Sequence, residues 1–523
     1  MRAIDYFDRG LRLNPDKAAI IDGDVSMTFE EVAALTRRIA KAMFANGMKR
    51  QEPVALYAPN SADLMVTLLS IWRAEAIWVP VNLRNAIDAN VAYLNYTRCG
   101  WLFYHSSMAK DVAVMKARVP HLKHFVCLDR PHDGDMSLDK FIEGFSAADW
   151  KDEHADAFGN LDDIVGIIGT GGTSGPSKGV KVANLGWGTM MEIIQNSWGG
   201  RADDPVCLTV APITHAAGPV SLATLAMGAT QAILPGFDAE NVLRSIEKYK
   251  VTHMFLPPTA MYGMLDCPAR GDYDTSSLKV FLLAGSACAP DKLRRAVEAF
   301  GPCMCQSYGQ TESPMITTWL PPETVAAAAA GDHPERLASC GKPTYPVRVA
   351  ILDDEGNELP NGEPGEICVR GALISKEYFE MPEATAEIRK FGWHHTGDVG
   401  KRDDDGYIYI VDRKKDMVVT GGFNVYCAEV EGAIMELPEV LECAIFGVPD
   451  DKWGEAVKAA VVLADGARLL EEDIVSHAKQ KLGSVKAPKS VDFIDAIPRT
   501  ANGKVDKKQL RAPYWGGQTR SVN

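Results

Sequence analysis

The chain has 523 residues, 46% hydrophobic and 24% charged, with a formal net charge of −14. That length exceeds what a single hydrophobic core sustains, so two or more domains are expected. The acidic balance argues against holding nucleic acid or an anionic membrane through the overall field, while leaving room for a local basic patch. No run of about 18 uninterrupted apolar residues occurs, so no spanning helix is expected. Met1 to Asp8 carries acids where a signal peptide would be apolar. The eleven cysteines show no Cys-x-x-Cys spacing. Cys303-Met304-Cys305 is read as packing at a strand end, and a reducing, cytoplasmic setting follows.

In chain order, Phe29 to Ala45 has a helical period, Pro53 to Ala58 reads as a strand, Ser61 to Arg73 as a helix and Ala76 to Val81 as a strand. Apolar strands alternating with helices predict parallel sheets with helices on their faces. Ile164 to Ile168 is another apolar strand, and it delivers Gly169-Thr170-Gly171-Gly172-Thr173-Ser174-Gly175-Pro176-Ser177-Lys178-Gly179. Glycines let backbone N–H groups approach an anion, hydroxyls add donors and the lysine adds a point charge, which is what polyphosphate binding requires. The P-loop of common NTPases needs Gly-Lys followed by Ser or Thr. Here Lys178 lies between Ser177 and Gly179, and the pairs at Gly341-Lys342 and Gly503-Lys504 precede Pro343 and Val505, so that match fails.

Beyond the loop, Val206 to Val210, Thr252 to Leu256 and Val280 to Ala284 read as strands. Thr324 to Pro334, with its alanine run, reads as a mobile surface loop. From about residue 345 the turn signals Asp353 to Asn357, Pro360-Asn361-Gly362 and Asp403 to Gly406 predict hairpins. A charged knot, Asp412-Arg413-Lys414-Lys415-Asp416, then opens a segment of α+β character.

Five segments in order resemble the motifs of the adenylate-forming superfamily, in its acyl-CoA synthetase branch. The glycine-rich loop is the first. Gln306-Ser307-Tyr308-Gly309-Gln310-Thr311-Glu312 is similar to the family's Tyr-Gly-x-Thr-Glu segment, and Trp393 to Asp398 to its Thr-Gly-Asp segment. Asp412 to Asp416, with Gly421-Gly422 and Glu429-Val430-Glu431, resembles the hinge and the start of the small domain. Pro498 to Lys504 resembles the catalytic-lysine loop. Ser177 stands where the family usually has Pro, and Gln306 where it often has Asn. The fold implied is α/β: a large N-terminal domain of layered parallel sheets with helices over 1–412, including a small β-rich subdomain from about 345. A small mobile α+β domain over 413–523 follows.

The resemblance implies that a carboxylate attacks the α-phosphorus of ATP, pyrophosphate leaves, and the acyl group then passes to coenzyme A. An anion must approach a polyanion, so positioning and positive charge are what the site must supply. Lys504 is implied to contact the carboxylate and α-phosphate together, and Thr311 and Glu312 to lie near Mg²⁺ with Glu312 as the metal carboxylate. Thr170, Gly172, Thr173, Ser174, Gly175 and Lys178 are implied phosphate contacts. Ser307, Tyr308 and Gly309 would receive adenine and Asp398 the ribose, with Arg413 a further contact. Lys415 is implied at the hinge, and Gly421 and Gly422 along the pantetheine path.

His215 stands where an amino-acid-activating relative would carry an aspartate for the substrate amine. Without it an ammonium would be buried unpaired, so amino acids are disfavoured. Ala216, Ala217 and Gly218, with Gly285, Ser286, Ala287, Met315 and Ile316, leave space for a chain or a ring. His215 reads as a gate or wall residue or as a core histidine. The histidines at 121, 124, 394 and 395 have no cysteine or acid cluster at ligand spacing, and no metal is expected there. The reading is an ATP-dependent carboxylic acid–CoA ligase acting on a hydrophobic fatty or aryl acid, with ATP, Mg²⁺ and coenzyme A, no nucleic acid, and a homodimer left open. The alternatives are loading of a carrier-protein phosphopantetheine, and a catalytically inactive ATP-binding relative.

Overall fold

The computed structural model describes residues 1–148, 150–151, 160–170, 178–500 and 505–516. Two compact units emerge. The first comprises Met1–Thr170, the described part of Pro176–Val349, and Val369–His394; the second comprises Ala350–Cys368 and the described part of His395–Asn523.

The first unit contains two large sheets. In the nine-stranded one, Met304–Tyr308, Val280–Leu283, His253–Leu256, Val206–Thr209, Thr230–Ile233 and Ala18–Asp22 are neighbours and all parallel. In the eight-stranded one, Ile164–Gly169, Ile77–Pro80, Pro53–Tyr57, Trp101–Tyr104 and His124–Cys127 are parallel, while Gly179–Ala183 and Glu377–Tyr378 are added antiparallel. Ile77–Pro80 and Val280–Leu283 are buried at every position, as expected of strands covered on both faces.

The helices begin where their caps lie. Thr28 accepts the amide of Glu31 at 3.2 Å and Glu31 returns the bond to Thr28, a capping box that opens Phe29–Ala45. Ser61 accepts from the Leu64 amide at the start of Ala62–Arg73. Trp72, Trp78 and Trp187 meet with ring centroids 5.3, 5.8 and 6.4 Å apart. Burying side chains of this size supplies much of the driving force for the unit.

One expectation fails. Pro322–Ala329 is a helix with Val325 and Ala328 buried, followed by a 3₁₀ turn over Pro334–Ala338, rather than a surface loop. Alanine is the strongest helix former, and proline suits the first helical position. The alanine run has too little contrast to show a period.

The second unit supplies most of a four-stranded sheet, in the order Val347–Leu352, Gly365–Gly371, His394–Arg402, Ile408–Arg413. Its turns are those the sequence marks: Asp353 N–H bonds Asn357 C=O, and Asp403 N–H bonds Tyr407 C=O, both at 3.0 Å. A second sheet joins Phe423–Val425, Val418–Thr420, Gly454–Leu463 and Val440–Asp450, with Ser490–Phe493 parallel to Gly454–Leu463. Gly421 and Gly422 form the two-residue turn between its first hairpin strands, with φ of 57° and 81°. Two successive positive φ values are what such a hairpin demands and glycine tolerates.

Candidate active site

Because the central strands of each large sheet are parallel, their carboxyl ends emerge along one edge, where open α/β sheets bind ligands. On the nine-stranded sheet this places the loops after Thr209, Leu283 and Tyr308 on the same edge. They carry His215, Gly285 to Ala287, and Gly309 to Glu312. On the other sheet the strand Ile164–Gly169 ends at the glycine-rich loop. Thr170 N–H donates to Lys178 C=O at 2.9 Å and Lys178 N–H to Thr170 Oγ1 at 3.3 Å, so the ends of that loop are tied together. Gly172, Thr173, Ser174 and Gly175 lie outside the described residues.

Lys178 and Glu312 are brought to one side chain. The Lys178 ammonium lies 4.8 Å from the centre of the Tyr378 ring, and the Tyr378 hydroxyl donates to Glu312 Oε1 at 2.6 Å. Ser375 N–H bonds the Glu312 carbonyl at 2.8 Å. Burial and the neighbouring Glu312 charge raise the Tyr378 phenol well above its ordinary range, so it remains a donor. Tyr378 belongs to the short strand Glu377–Tyr378, held in register against Val180. The sequence carries no local signal for it.

Tyr308 is buried at the end of Met304–Tyr308, and Ser307 Oγ donates to Met315 C=O at 2.9 Å. A Cβ on Gly309 would lie 2.7 Å from the Met315 backbone. The close approach of the chain to itself therefore suffices to require glycine there. Thr311 is half-buried beside Glu312. Gln306 is buried and points its amide at the carbonyls of Leu337 and Ser339, at 3.4 and 3.3 Å. Its place in the motif is thus structural. His215 is exposed in the turn before the helix Ala217–Leu225, which removes the reading of a core histidine. Gly285, Ser286 and Ala287 are exposed, with Gly285 at φ 90°, and Ile316 is buried.

In the second unit Asp398 lies opposite Arg413 across the hairpin, with Arg413 Nε 3.3 Å from Asp398 Oδ1. Asp398 is 5% exposed. Its approach is set by Glu366: Glu366 Oε1 accepts the Gly397 amide at 2.9 Å, and Oε2 accepts from His395 Nδ1 at 3.0 Å and Lys414 Nζ at 3.2 Å. Lys414 N–H also bonds Gly397 C=O at 2.9 Å. Burial raises the Glu366 carboxyl, but the bond from His395 and the Lys414 charge outweigh it and hold it below the usual range. Sequence reading misses Glu366 and Lys414 as supports because they are 48 positions apart, with several elements between them. Lys415 is exposed in the turn after Ile408–Arg413. Gly421 lies under Trp453, whose ring a Cβ would approach to 2.6 Å; Trp453 and Phe423 are exposed beside the glycine pair. Lys504 lies outside the described residues. No described helix is long and apolar enough to cross a membrane.

On the first unit, then, the lysine that follows the glycine-rich segment and the Glu312 carboxylate meet at one tyrosine. Residues 7–379 match the model of the AMP-binding enzyme family, and residues 429–504 match the model of its C-terminal domain. The chain belongs to the AMP-binding enzymes, in their acyl-CoA synthetase branch. It is 34% identical over 514 residues to a feruloyl-CoA synthase from Streptomyces sp, covering 97% of this chain and 98% of that protein. It is 42% identical over 369 residues to the medium/long-chain-fatty-acid–CoA ligase FadD8 of Mycobacterium tuberculosis, covering 69% of this chain and 63% of that protein. Among solved structures, ATP-bound MatB from Rhodopseudomonas palustris is similar, with a TM-score of 0.86, 29% identity, and coverage of 98% of this chain and 99% of that one.

Proposed function

We propose that this protein joins a hydrophobic carboxylic acid to coenzyme A at the expense of ATP. The substrate carboxylate attacks the α-phosphorus and displaces pyrophosphate. The coenzyme A thiol then attacks the acyl carbonyl and AMP leaves. The observation that carries the first step is the meeting of Lys178 and Glu312 on Tyr378, at the end of a glycine-rich loop. A cation fixed there offsets phosphate charge as the nucleophile approaches. Glu312, with Thr311 beside it, is a hard oxygen donor of the kind that holds Mg²⁺ together with substrate phosphates, and the ion when bound neutralises phosphate charge. In this reading Tyr308 packs against adenine, Asp398 and Arg413 receive the ribose, and Lys504 bridges carboxylate and α-phosphate. Lys415 lies at a hinge near the start of a mobile second domain.

The acid class rests on two features. His215 supplies no carboxylate for a substrate amine, and the relatives are named for fatty and aryl acids. The test is pyrophosphate release against fatty, aryl and amino acids, with and without coenzyme A. Turnover with one hydrophobic class, dependent on coenzyme A, is expected. Release with amino acids alone, or none while ATP still binds, would sink the reading.

A further inference from the structure

The cluster behind Asp398 contains the donor set of a transition-metal site. Glu366 and Cys368 stand two residues apart on one face of Gly365–Gly371, and His395 faces them from His394–Arg402. Cys368 Sγ lies 3.4 Å from His395 Nδ1, which lies 3.0 Å from Glu366 Oε2, and one donor atom from each residue falls within 4.8 Å of the others. A tetrahedral zinc with ordinary bond lengths sets sulfur and nitrogen about 3.6 Å apart, and nitrogen and oxygen about 3.4 Å apart. The sulfur–nitrogen and nitrogen–oxygen separations therefore lie within about half an ångström of those a zinc ion would impose. Cys368 is fully buried and Glu366 is 9% exposed, so ligand entropy is small.

We propose that Glu366, Cys368 and His395 bind one divalent ion of the zinc class, in competition with the Lys414 ammonium. The thiolate selects against magnesium and calcium, which prefer oxygen donors. The balance is simple. Cys368 forms the sulfur–metal bond and releases its thiol proton to solvent. The His395 ring proton moves from Nδ1 to Nε2, freeing Nδ1 to coordinate. Glu366 exchanges its bond from His395 for the metal, and the site carries no net charge once thiolate and carboxylate meet the dication. Lys414 now provides the positive charge, 3.2 Å from Glu366 Oε2. It already has a second partner at 2.7 Å in the exposed Asp354, toward which it withdraws. Because Glu366 also holds the Gly397 amide, occupancy acts on the backbone that presents Asp398. This inference is independent of the proposed reaction.

The test is titration of the purified protein with Co²⁺ as a spectroscopic probe, then with Zn²⁺. One equivalent of Co²⁺ should give visible ligand-field bands and a thiolate charge-transfer band, both bleached by Zn²⁺. Cys368→Ser should lose the charge-transfer band, and calorimetry in two buffers should register about one proton released per Zn²⁺ at neutral pH. Lys414→Met, which removes the competing cation, should tighten Zn²⁺ about tenfold (about 1.4 kcal/mol). A wild-type spectrum without thiolate character overturns the site, as does a thiolate band that survives Cys368→Ser. Unchanged affinity in Lys414→Met overturns the competition.

Discussion

Two charged clusters, one in each unit, are organised by different rules. In the first unit Lys178 lies over the Tyr378 ring and Glu312 accepts from the Tyr378 hydroxyl, so a neutral side chain orients both charges. In the second unit cation is matched to carboxylate. Lys507 meets Glu431 and Arg511 meets Asp416, both at 2.8 Å, which pins the helix Lys507–Trp515. A charge oriented by a phenol retains most of its field for a ligand, whereas a charge neutralised by a buried partner is committed to the fold. Asp398 stands between these cases: it is buried, but its partner Arg413 is 41% exposed at 3.3 Å, a pair loose enough to be rearranged.

The sharpest way to break this contrast is to remove one charge of each kind. Lys178→Met should lower acyl-adenylate formation, followed by pyrophosphate exchange, about 10²–10³-fold. Its thermal midpoint should shift by no more than about 2 °C, because no buried carboxylate is orphaned. A large loss of stability with little loss of rate would place Lys178 among the structural charges. Glu431→Gln should do the reverse, destabilising by about 2–3 kcal/mol because the Lys507 ammonium is left among weaker partners. Asp412 still faces Lys507 and keeps the loss toward the low end. Glu431→Gln with Lys507→Met removes both charges and should recover most of that loss in urea unfolding. Equal destabilisation of the single and double variants would show that the two groups are not coupled.

The contrast also explains what the sequence reveals. Phe29–Ala45 and Pro53–Tyr57 are legible because period and caps are local, and the glycine-rich loop because one short segment contains glycines, hydroxyls and lysine. Tyr378 is not legible. It is 66 positions from Glu312 and enters through a two-residue strand with no pattern of its own. Glu366 is hidden in the same way, since only the pairing of Gly365–Gly371 with the distant strand His394–Arg402 brings it to His395. The helix Pro322–Ala329 is missed for another reason: alanine lacks the contrast that reveals a face, although it favours the helix strongly.

Tyr378→Phe tests the orienting role with a smaller change. The ring beneath Lys178 remains while the donor to Glu312 is lost. A hydrogen bond to a charged group contributes about 1.5–3 kcal/mol, so kcat/KM for ATP should fall about tenfold or slightly more. A fall in the acid's kcat/KM alone would detach Glu312 from the nucleotide. Trp453→Ala should have a weaker effect, raising KM for coenzyme A a few-fold and leaving ATP unaffected. The exposed indole lies on Gly421, where a base can stack. A change in KM for ATP would contradict the glycine turn as the thiol's path.

The smallest effect appears only in acid. Asp416 and Glu366 both titrate below their ordinary range. Burial raises each, but the charges of Arg511 and Lys507 outweigh it at Asp416, and His395 and Lys414 at Glu366. The unfolded chain therefore binds these protons at higher pH than the folded one. Their stabilisation is fully present above the ordinary carboxylate range, about pH 4, and is lost as pH falls through the lower folded values. Unfolding free energy measured in urea from pH 6 to pH 3 should decline with a slope that Arg511→Met makes shallower, because Asp416 then titrates nearer its unfolded value. A slope unchanged by Arg511→Met would mean that this pair does not carry the acid dependence.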